Sequence, residues 1–442
     1  MKTVKSGYGI VVVGGQWGDE GKGRIVDILA QDCDITVRFH GGNNAGHSLH
    51  FENKSIVLHV IPCGIVRSRN VSVIANGVVI DPEVLLKEID HLKSIGIECS
   101  PDNLKISVHA HVILPWHKML DQKREAETNA FLGTTKRGIG PCYEDKIARI
   151  GLRIQDLVQP QHLNFKLKRL FEHHGVSHSD SLKQCYEQLL FYGEKLRAFM
   201  CDSGEYIEKA LKQGARVLFE GAQGALLDVD HGSYPFVTSS NCVAGQASVG
   251  SGIGPKWLQE VLMVSKVYCT RVGEGPFLSE LDQKNQEIFR QVGNEFGATT
   301  GRPRRCGWLD LPALRYASQI NGATGIILTK LDVLSALGQV KVVSGYQGAG
   351  GEDLSFREAM DRVISGIEVK TIFKDFGTIE KMPHSVESFS ALPFAARDLC
   401  EYIENFVGVP VVMLSYGKER GQEINLKENC NEKDIRRLTT AG

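Results

Sequence analysis

Four things are missing from this 442-residue chain: an apolar run long enough to span a bilayer, a Cys-x-x-Cys pair, a low-complexity linker or internal repeat, and an excess of either charge. Each absence removes a class of protein. The apolar run near the N-terminus, residues 10–13, is too short for a signal peptide, and nothing later approaches a membrane span, so no membrane role is expected. Eleven cysteines without that pairing argue against a disulfide framework or a zinc site. They point to a reducing compartment, the cytoplasm, with most thiols acting as small buried hydrophobes. The 51 Lys and Arg residues nearly balance 52 Asp and Glu, which leaves no general field to attract nucleic acid. Any anion must be held by local geometry.

What the chain does have is a series of short apolar runs, each ending in a loop of Gly, Asn, Asp, Thr or His. Residues 11–13 precede GGQWGDEG, 35–39 precede HGGNNAGH, 217–219 precede EGAQGALLD, 326–328 precede TKLD, and 411–414 precede SYGKER. This is the pattern of an α/β protein. Ligands of open α/β sheets bind at the carboxyl ends of the strands, so these loops are expected to converge on one composite site. Helical spacing lies between the runs. Asp81-Pro82 starts one helix with an N-cap acid and a first-turn proline, Leu85, Ile89 and Leu92 form its apolar face, and Gly96 stops it. Residues 155–214 hold few chemical candidates, and their helical stretch from about 181 to 214 is expected to be scaffold within a single catalytic domain spanning 1–442.

The stretch VVVGGQWGDEGKGR, residues 11–24, organises the rest. A buried strand runs into glycines at 14, 15, 18, 21 and 23, which let backbone N–H groups approach a ligand, and a helix from Arg24 would turn its positive end towards the same place. A Walker A loop is excluded, because Gln16 and Gly23 occupy the positions that need glycine and Ser or Thr. The glycine order does not make a dinucleotide fingerprint either. A plain turn is the alternative. Asp19-Glu20 beside Lys22 argues against it, since acids and a lysine in a flexible loop suit metal-assisted phosphate chemistry.

The other loops add complementary groups. Gly41 to His47 brings two amides and an imidazole, and His47 could donate to a transferring phosphoryl group. Gly133 to Pro141 offers hydroxyls, cations and free N–H groups suited to a phosphate monoester, or else is an exposed basic turn; Arg149 could add a guanidinium. Gln223 can present a donor and an acceptor to a heterocycle edge. Val237 to Asn241 is a hydroxyl cluster for phosphate oxygens or a helix cap, and Thr299 to Arg305 concentrates three guanidiniums that can clamp carboxylates, or forms a solvated loop. Asp332 could accept two hydrogen bonds from guanine, which adenine cannot offer, while the stem of Lys330 covers the ring.

Together QWGDEGKG, NNAGH, GTTKRGIGP, EGAQG, VTSSN, NEFGATTGRPRRCGW and TKLD resemble the adenylosuccinate synthetase family, in its order and spacing, from Ile10 to about Arg420. The resemblance implies a large mixed, mostly parallel central sheet flanked by helices, related to P-loop GTPases but with a non-Walker phosphate loop. It implies GTP-dependent joining of IMP and L-aspartate through 6-phosphoryl-IMP, releasing GDP and phosphate, with Mg²⁺ as cofactor and a homodimer as the assembly. By that resemblance Asp19 would take the proton from the IMP ring and bind Mg²⁺ with the Gly46 carbonyl. His47 would act as acid, Lys22 would stabilise the transferring group, and Gln223 would hold the purine. IMP would meet Thr134, and its phosphate would fall to Asn44, Thr135, Thr238 and, across the dimer, Arg149, with Arg302 at the ribose. GTP would meet Gly18, Glu20, Gly21, Lys22, Gly23 and Arg24, then Gly46, His47 and Ser48, then Arg304, and at its base Lys330, Leu331, Asp332, Ser415, Tyr416 and Gly417. Aspartate would meet Ala298, Thr299, Thr300, Gly301, Arg302 and Arg304. Departures from the family pattern are Lys418, Ser48 and Arg24.

A GTP-binding switch is the rival reading, since TKLD and a glycine loop would suit one. A switch needs no second anion cluster, whereas this chain has the Thr134 and Arg302 loops. A ligase or kinase with a different acceptor is the third.

Overall fold

The strand Tyr8–Gly14 (β1) lies near the middle of a ten-stranded sheet. Val11 and Val13 point into one apolar core and Ile10 and Val12 into the other, which is why the run is continuously hydrophobic: both faces of a parallel sheet are covered. This computed structural model describes residues 7–51, 54–127, 133–175, 179–297, 301–383, 385–417 and 421–426.

In spatial order the sheet runs Glu423–Asn425, Val411–Ser415, Gly325–Thr329, Leu258–Lys266, β1, Arg216–Glu220, Ile35–Arg38, Val71–Ile74, Leu104–Ser107 and Met200–Cys201. Every pairing is parallel except that of Glu423–Asn425 with Val411–Ser415. The expected mixed, mostly parallel sheet is what forms. All five apolar runs are strands of it, so their loops leave from the same edge. A smaller sheet joins Tyr268–Arg271, Arg305–Asp310, Val340–Gln347, Asp353–Leu354 and Lys370–Gly377.

The helix after Asp81 spans Pro82–Ser94, and the Asp81 carboxylate accepts from the N–H groups of Glu83 (3.2 Å) and Val84 (3.4 Å). The stretch from 181 to 214, expected to be helical, is not helical throughout. Its helices are Ser179–Leu196 and Ser203–Lys212, and between them lies Met200–Cys201, the outermost strand of the main sheet. Leu196 and Phe199 are anchored in the core at the break, and Asp202 starts the next helix by accepting from Glu205 N–H at 3.1 Å. Spacing alone could not show this break, because the buried positions continue through it.

Candidate active site

The loop after β1 is built around a buried acid. Glu20 has no exposed surface; its Oε1 accepts from the N–H groups of Gln16 (3.1 Å) and Gly18 (2.9 Å), and its Oε2 is bonded by Lys22 Nζ. Two glycines make room for that carboxylate: a Cβ at Gly14 would lie 2.5 Å from Glu20 Oε2, and one at Gly224 would lie 2.4 Å from Oε1. This corrects part of the sequence reading. Gly14 is needed by the chain's own carboxylate and leaves no gap for a ligand; the acid tightens the loop from behind. Asp19 faces the other way. It is exposed, and its backbone holds φ 60°, a left-handed conformation uncommon for any residue but glycine and best tolerated by Asp and Asn. Helix Lys22–Leu29 (α1) begins immediately after, with Gly21 at φ 90° as its N-cap. Its first-turn N–H groups and positive end therefore open beside Asp19.

His47 starts the strand His47–Phe51 and packs on the first turn of α1, where a Cβ at Gly23 would lie 2.9 Å from the His47 Cβ. Its Nδ1 is 2.5 Å from Oε1 of Glu220, the last residue of its strand. Burial would raise the Glu220 carboxyl, but His47, Arg38 and the Cys63 N–H outweigh burial and hold it below the ordinary range. Burial lowers the His47 ring, Arg38 and Lys22 add to this, and Glu220 opposes. Together these favour an ionised Glu220 beside a neutral imidazole.

Gln223 has φ 50°, and its Oε1 is buried with no hydrogen-bond partner. A Cβ at Gly41 would lie 3.2 Å from it, which places the amide over the Gly41-Gly42 turn. That turn is fixed by Tyr143, whose hydroxyl accepts from Gly41 N–H at 2.9 Å and donates to Gly77 O at 2.7 Å. Asn44 Oδ1 accepts from Gly42 N–H at 3.2 Å.

A second corner forms where helix Ile139–Ile147 begins. A Cβ at Gly140 would lie 3.0 Å from Ser239 Oγ, so the Val237 to Asn241 loop faces the helix N-terminus, and Thr238 and Thr135 are both partly exposed nearby in the chain. Three of the N–H groups expected to be free in the Gly133 loop are taken by acids. Glu125 Oε1 accepts from Gly133 (2.7 Å) and Thr134 (3.2 Å), Asp121 Oδ2 accepts from Gly138 (2.9 Å), and the Thr134 hydroxyl donates to Asp121 Oδ1 (3.0 Å). Two buried acids of helix Pro115–Glu127 hold this loop. Arg149 is exposed at φ 64°, just beyond the other end of helix Ile139–Ile147.

Arg304 links the glycine loop to a buried charge chain. Its Nε is 2.8 Å from Asp19 Oδ2, and its other arm bonds Glu295 Oε2 at 2.6 Å. Glu295 also receives Lys266 Nζ (3.0 Å) and the Tyr268 hydroxyl. Burial alone would raise Glu295; Lys266 and Arg304 reverse that and hold it at about 2. Arg305, by contrast, turns to Glu280 and to Gly275 O, so the three guanidiniums of this loop do not act together. Arg302 is partly buried, Gly301 is exposed, and Ala298, Thr299 and Thr300 lie outside the described residues.

At the far end Thr329 Oγ1 donates to Glu20 O at 2.7 Å, tying the TKLD strand to the glycine loop. Lys330 sits at φ 66° with Nζ on Gly293 O (2.8 Å), and Asp332 Oδ1 is buried without a partner. The side chains of Leu331 and Tyr416 are core, so only their backbones can meet a ligand. Arg24 reaches across to Ser415 Oγ (3.0 Å) and Glu423 (2.7 Å) and bonds Gly417 O, bracing the last turn; Lys418 lies outside the described residues. Gly46 is half-buried, with Ala45 O beside it accepting from His59 Nδ1 at 2.7 Å, and Ser48 is exposed.

Sequence reasoning missed Glu220, Glu295, Lys266 and Asp121 as parts of the site. An acid directly ending an apolar strand, as in Phe219-Glu220, was the available signal.

Comparison with known proteins finds relatives along nearly the whole chain. The family model described as adenylosuccinate synthetase matches residues 11–424. The chain is 46% identical over 431 residues to adenylosuccinate synthetase of Myxococcus xanthus, covering 95% of this chain and 98% of that one. It is 44% identical over 427 residues to that of Syntrophobacter fumaroxidans, covering 95% and 99%. Among solved structures, fully ligated adenylosuccinate synthetase from Plasmodium falciparum superposes with a TM-score of 0.87 at 37% identity, covering 94% of this chain and 99% of that one.

Proposed function

Because the chain belongs to the adenylosuccinate synthetase family, it is a ligase that joins IMP to L-aspartate at the expense of GTP, and we propose that the residues around β1 and α1 divide that work as follows. Asp19, exposed at the mouth of the glycine loop, takes the proton from the purine ring nitrogen as the neighbouring carbonyl oxygen attacks the γ-phosphoryl group of GTP. GDP leaves, and the oxygen now carries phosphate. The amine of aspartate then attacks the ring carbon that bears this oxygen, phosphate departs with the C–O bond electrons and carries off the proton that the amine loses, and adenylosuccinate remains. Lys22 and the N-terminus of α1 stabilise the transferring phosphoryl, and His47, whose neutral ring takes up a second proton on Nε2 as the anionic phosphates arrive, donates to it from that nitrogen. Gln223 holds the purine. The unpartnered Gln223 Oε1, set over the Gly41 turn beside the glycine loop, is the observation that carries this reading.

The IMP phosphate is assigned to the corner of Asn44, Thr135 and Thr238, where the helix Ile139–Ile147 supplies its positive end and Thr134, held by Asp121 and Glu125, shapes the loop. The exposed Arg149 suits delivery to the partner subunit of a homodimer, and Arg302 is assigned to the ribose. The substrate aspartate is assigned to the loop from Ala298 to Arg304, and guanine to Lys330, Asp332 and the Ser415 turn. We assign Mg²⁺ to the Asp19 carboxylate and Gly46 carbonyl, both hard oxygen donors, whereas the metal-like groupings among the described residues, His47-Cys63-Glu220 and His117-Asp145-His174, offer softer nitrogen or sulfur. Bound there, Mg²⁺ would neutralise phosphate charge. Among the described residues no helix is long and apolar enough to cross a membrane, and the ten described cysteines are unbridged, which supports the cytoplasm.

Purified protein with Mg²⁺ is expected to release phosphate from GTP only when IMP and aspartate are both present. Release that ignores either would overturn the proposal. Asp332→Asn is expected to lower the preference for GTP over ATP by at least about tenfold, because a buried acceptor for the guanine edge is lost. Paired kcat/KM values for the two nucleotides test this, and an unchanged ratio removes Asp332 from base recognition.

A further inference from the structure

We propose that Glu220 is a positioning residue: it holds the His47 imidazole with its proton on Nδ1 and leaves Nε2 as the ring nitrogen presented to the reacting groups. The carboxylate is enclosed by donors. Oε1 is 2.5 Å from His47 Nδ1 and 3.3 Å from the Cys63 thiol, Oε2 accepts from Cys63 N–H at 2.7 Å, and Arg38 approaches Oε1 at 3.6 Å. Glu220 and Arg38 have no exposed surface, and Cys63 has none either, so water does not compete for these bonds.

A carboxylate with that surround is an acceptor only, and the ring nitrogen facing it must be the donor. Among the described residues nothing hydrogen-bonds Nε2. Because His47 is clamped between a strand end and the first turn of α1, fixing Nδ1 also fixes the direction of Nε2. The pair is remote in sequence, 173 residues apart, and the bond is made only when the Arg216–Glu220 strand is in register beside β1. Glu220 thus acts through His47 without touching substrate, as the orienting carboxylate of a histidine does in other sites.

The inference rests on the reading of His47 as a reacting residue, and its test separates the two. Nitrogen-15 NMR of resting wild-type protein, with His47 assigned by its absence in His47→Asn, reads the tautomer without any turnover. A proton on Nδ1 is expected; one on Nε2 overturns the inference whatever the activity. In Glu220→Gln the Nδ1 form is expected to lose its dominance, and kcat is expected to fall about 10- to 100-fold with KM values nearly unchanged. A variant with the wild-type tautomer and a normal kcat per folded molecule shows that Glu220 is only structural and overturns the proposal. Should Glu220→Gln fail to fold, the wild-type spectrum still decides. Failure of the wild type to join IMP and aspartate would instead sink the functional reading and leave the tautomer result standing.

Discussion

Asp19→Asn is expected to lower turnover by at least about 10⁴-fold, the upper end of what a general base contributes, because one carboxylate is proposed to serve as both base and metal ligand. The substitution is nearly isosteric and suits the backbone. Asn tolerates the left-handed φ of 60° as well as Asp does, so no strain is added. The ion pair to Arg304 is lost, but Asp19 is exposed there and such pairs contribute about 1 kcal/mol or less. Arg304 keeps Glu295 at 2.6 Å and is not left with an unpaired buried charge. The expected variant therefore has a melting temperature within about 3 °C of wild type and no measurable phosphate release. Retained activity removes Asp19 from the mechanism; a large loss of melting temperature would assign its effect to folding.

His47→Asn is expected to cost about 10² to 10⁴ in kcat, the range for a lost proton donor or charge-stabilising group. Two features make this a fair test. The ring is buried against α1 and fills space that asparagine leaves partly empty, so some stability is lost, on the order of 1–3 kcal/mol. Glu220 retains Cys63 N–H at 2.7 Å and the nearby Arg38, so its charge is not orphaned. Since no groups assigned to guanine or to IMP phosphate are altered, KM for GTP and IMP should change little while kcat falls. Steady-state kinetics on folded protein checks both numbers, and wild-type kcat in the variant eliminates His47.

How much was legible beforehand depended on the range of the interaction. Each of the five apolar runs is a strand, and Asp81 and Pro82 start their helix where the capping pattern placed it. Those outcomes rest on local rules. The glycine loop shows where local reading stops: DEGKG announced acids, a lysine and backbone freedom, but not that Glu20 turns inward between Gly14 and Gly224 while Asp19 turns outward. Adjacent residues of like chemistry take opposite roles because one has three donors within reach and the other faces the opening. The Thr134 loop taught the same lesson, since the N–H groups of Gly133, Thr134 and Gly138 are taken by Asp121 and Glu125, acids of a helix that the loop's own residues do not announce.

The sequence by itself determined the architecture and the set of loops that meet, because continuous apolar runs, capping and chain order are written in neighbouring residues. Only the tertiary structure decided which charged groups pair. Glu220 finds His47, and Lys266 and Arg304 share Glu295, across separations that no local pattern records. The physical reason is that a buried charge is stable only beside its counter-charge, and that distance exists only after the strands have paired.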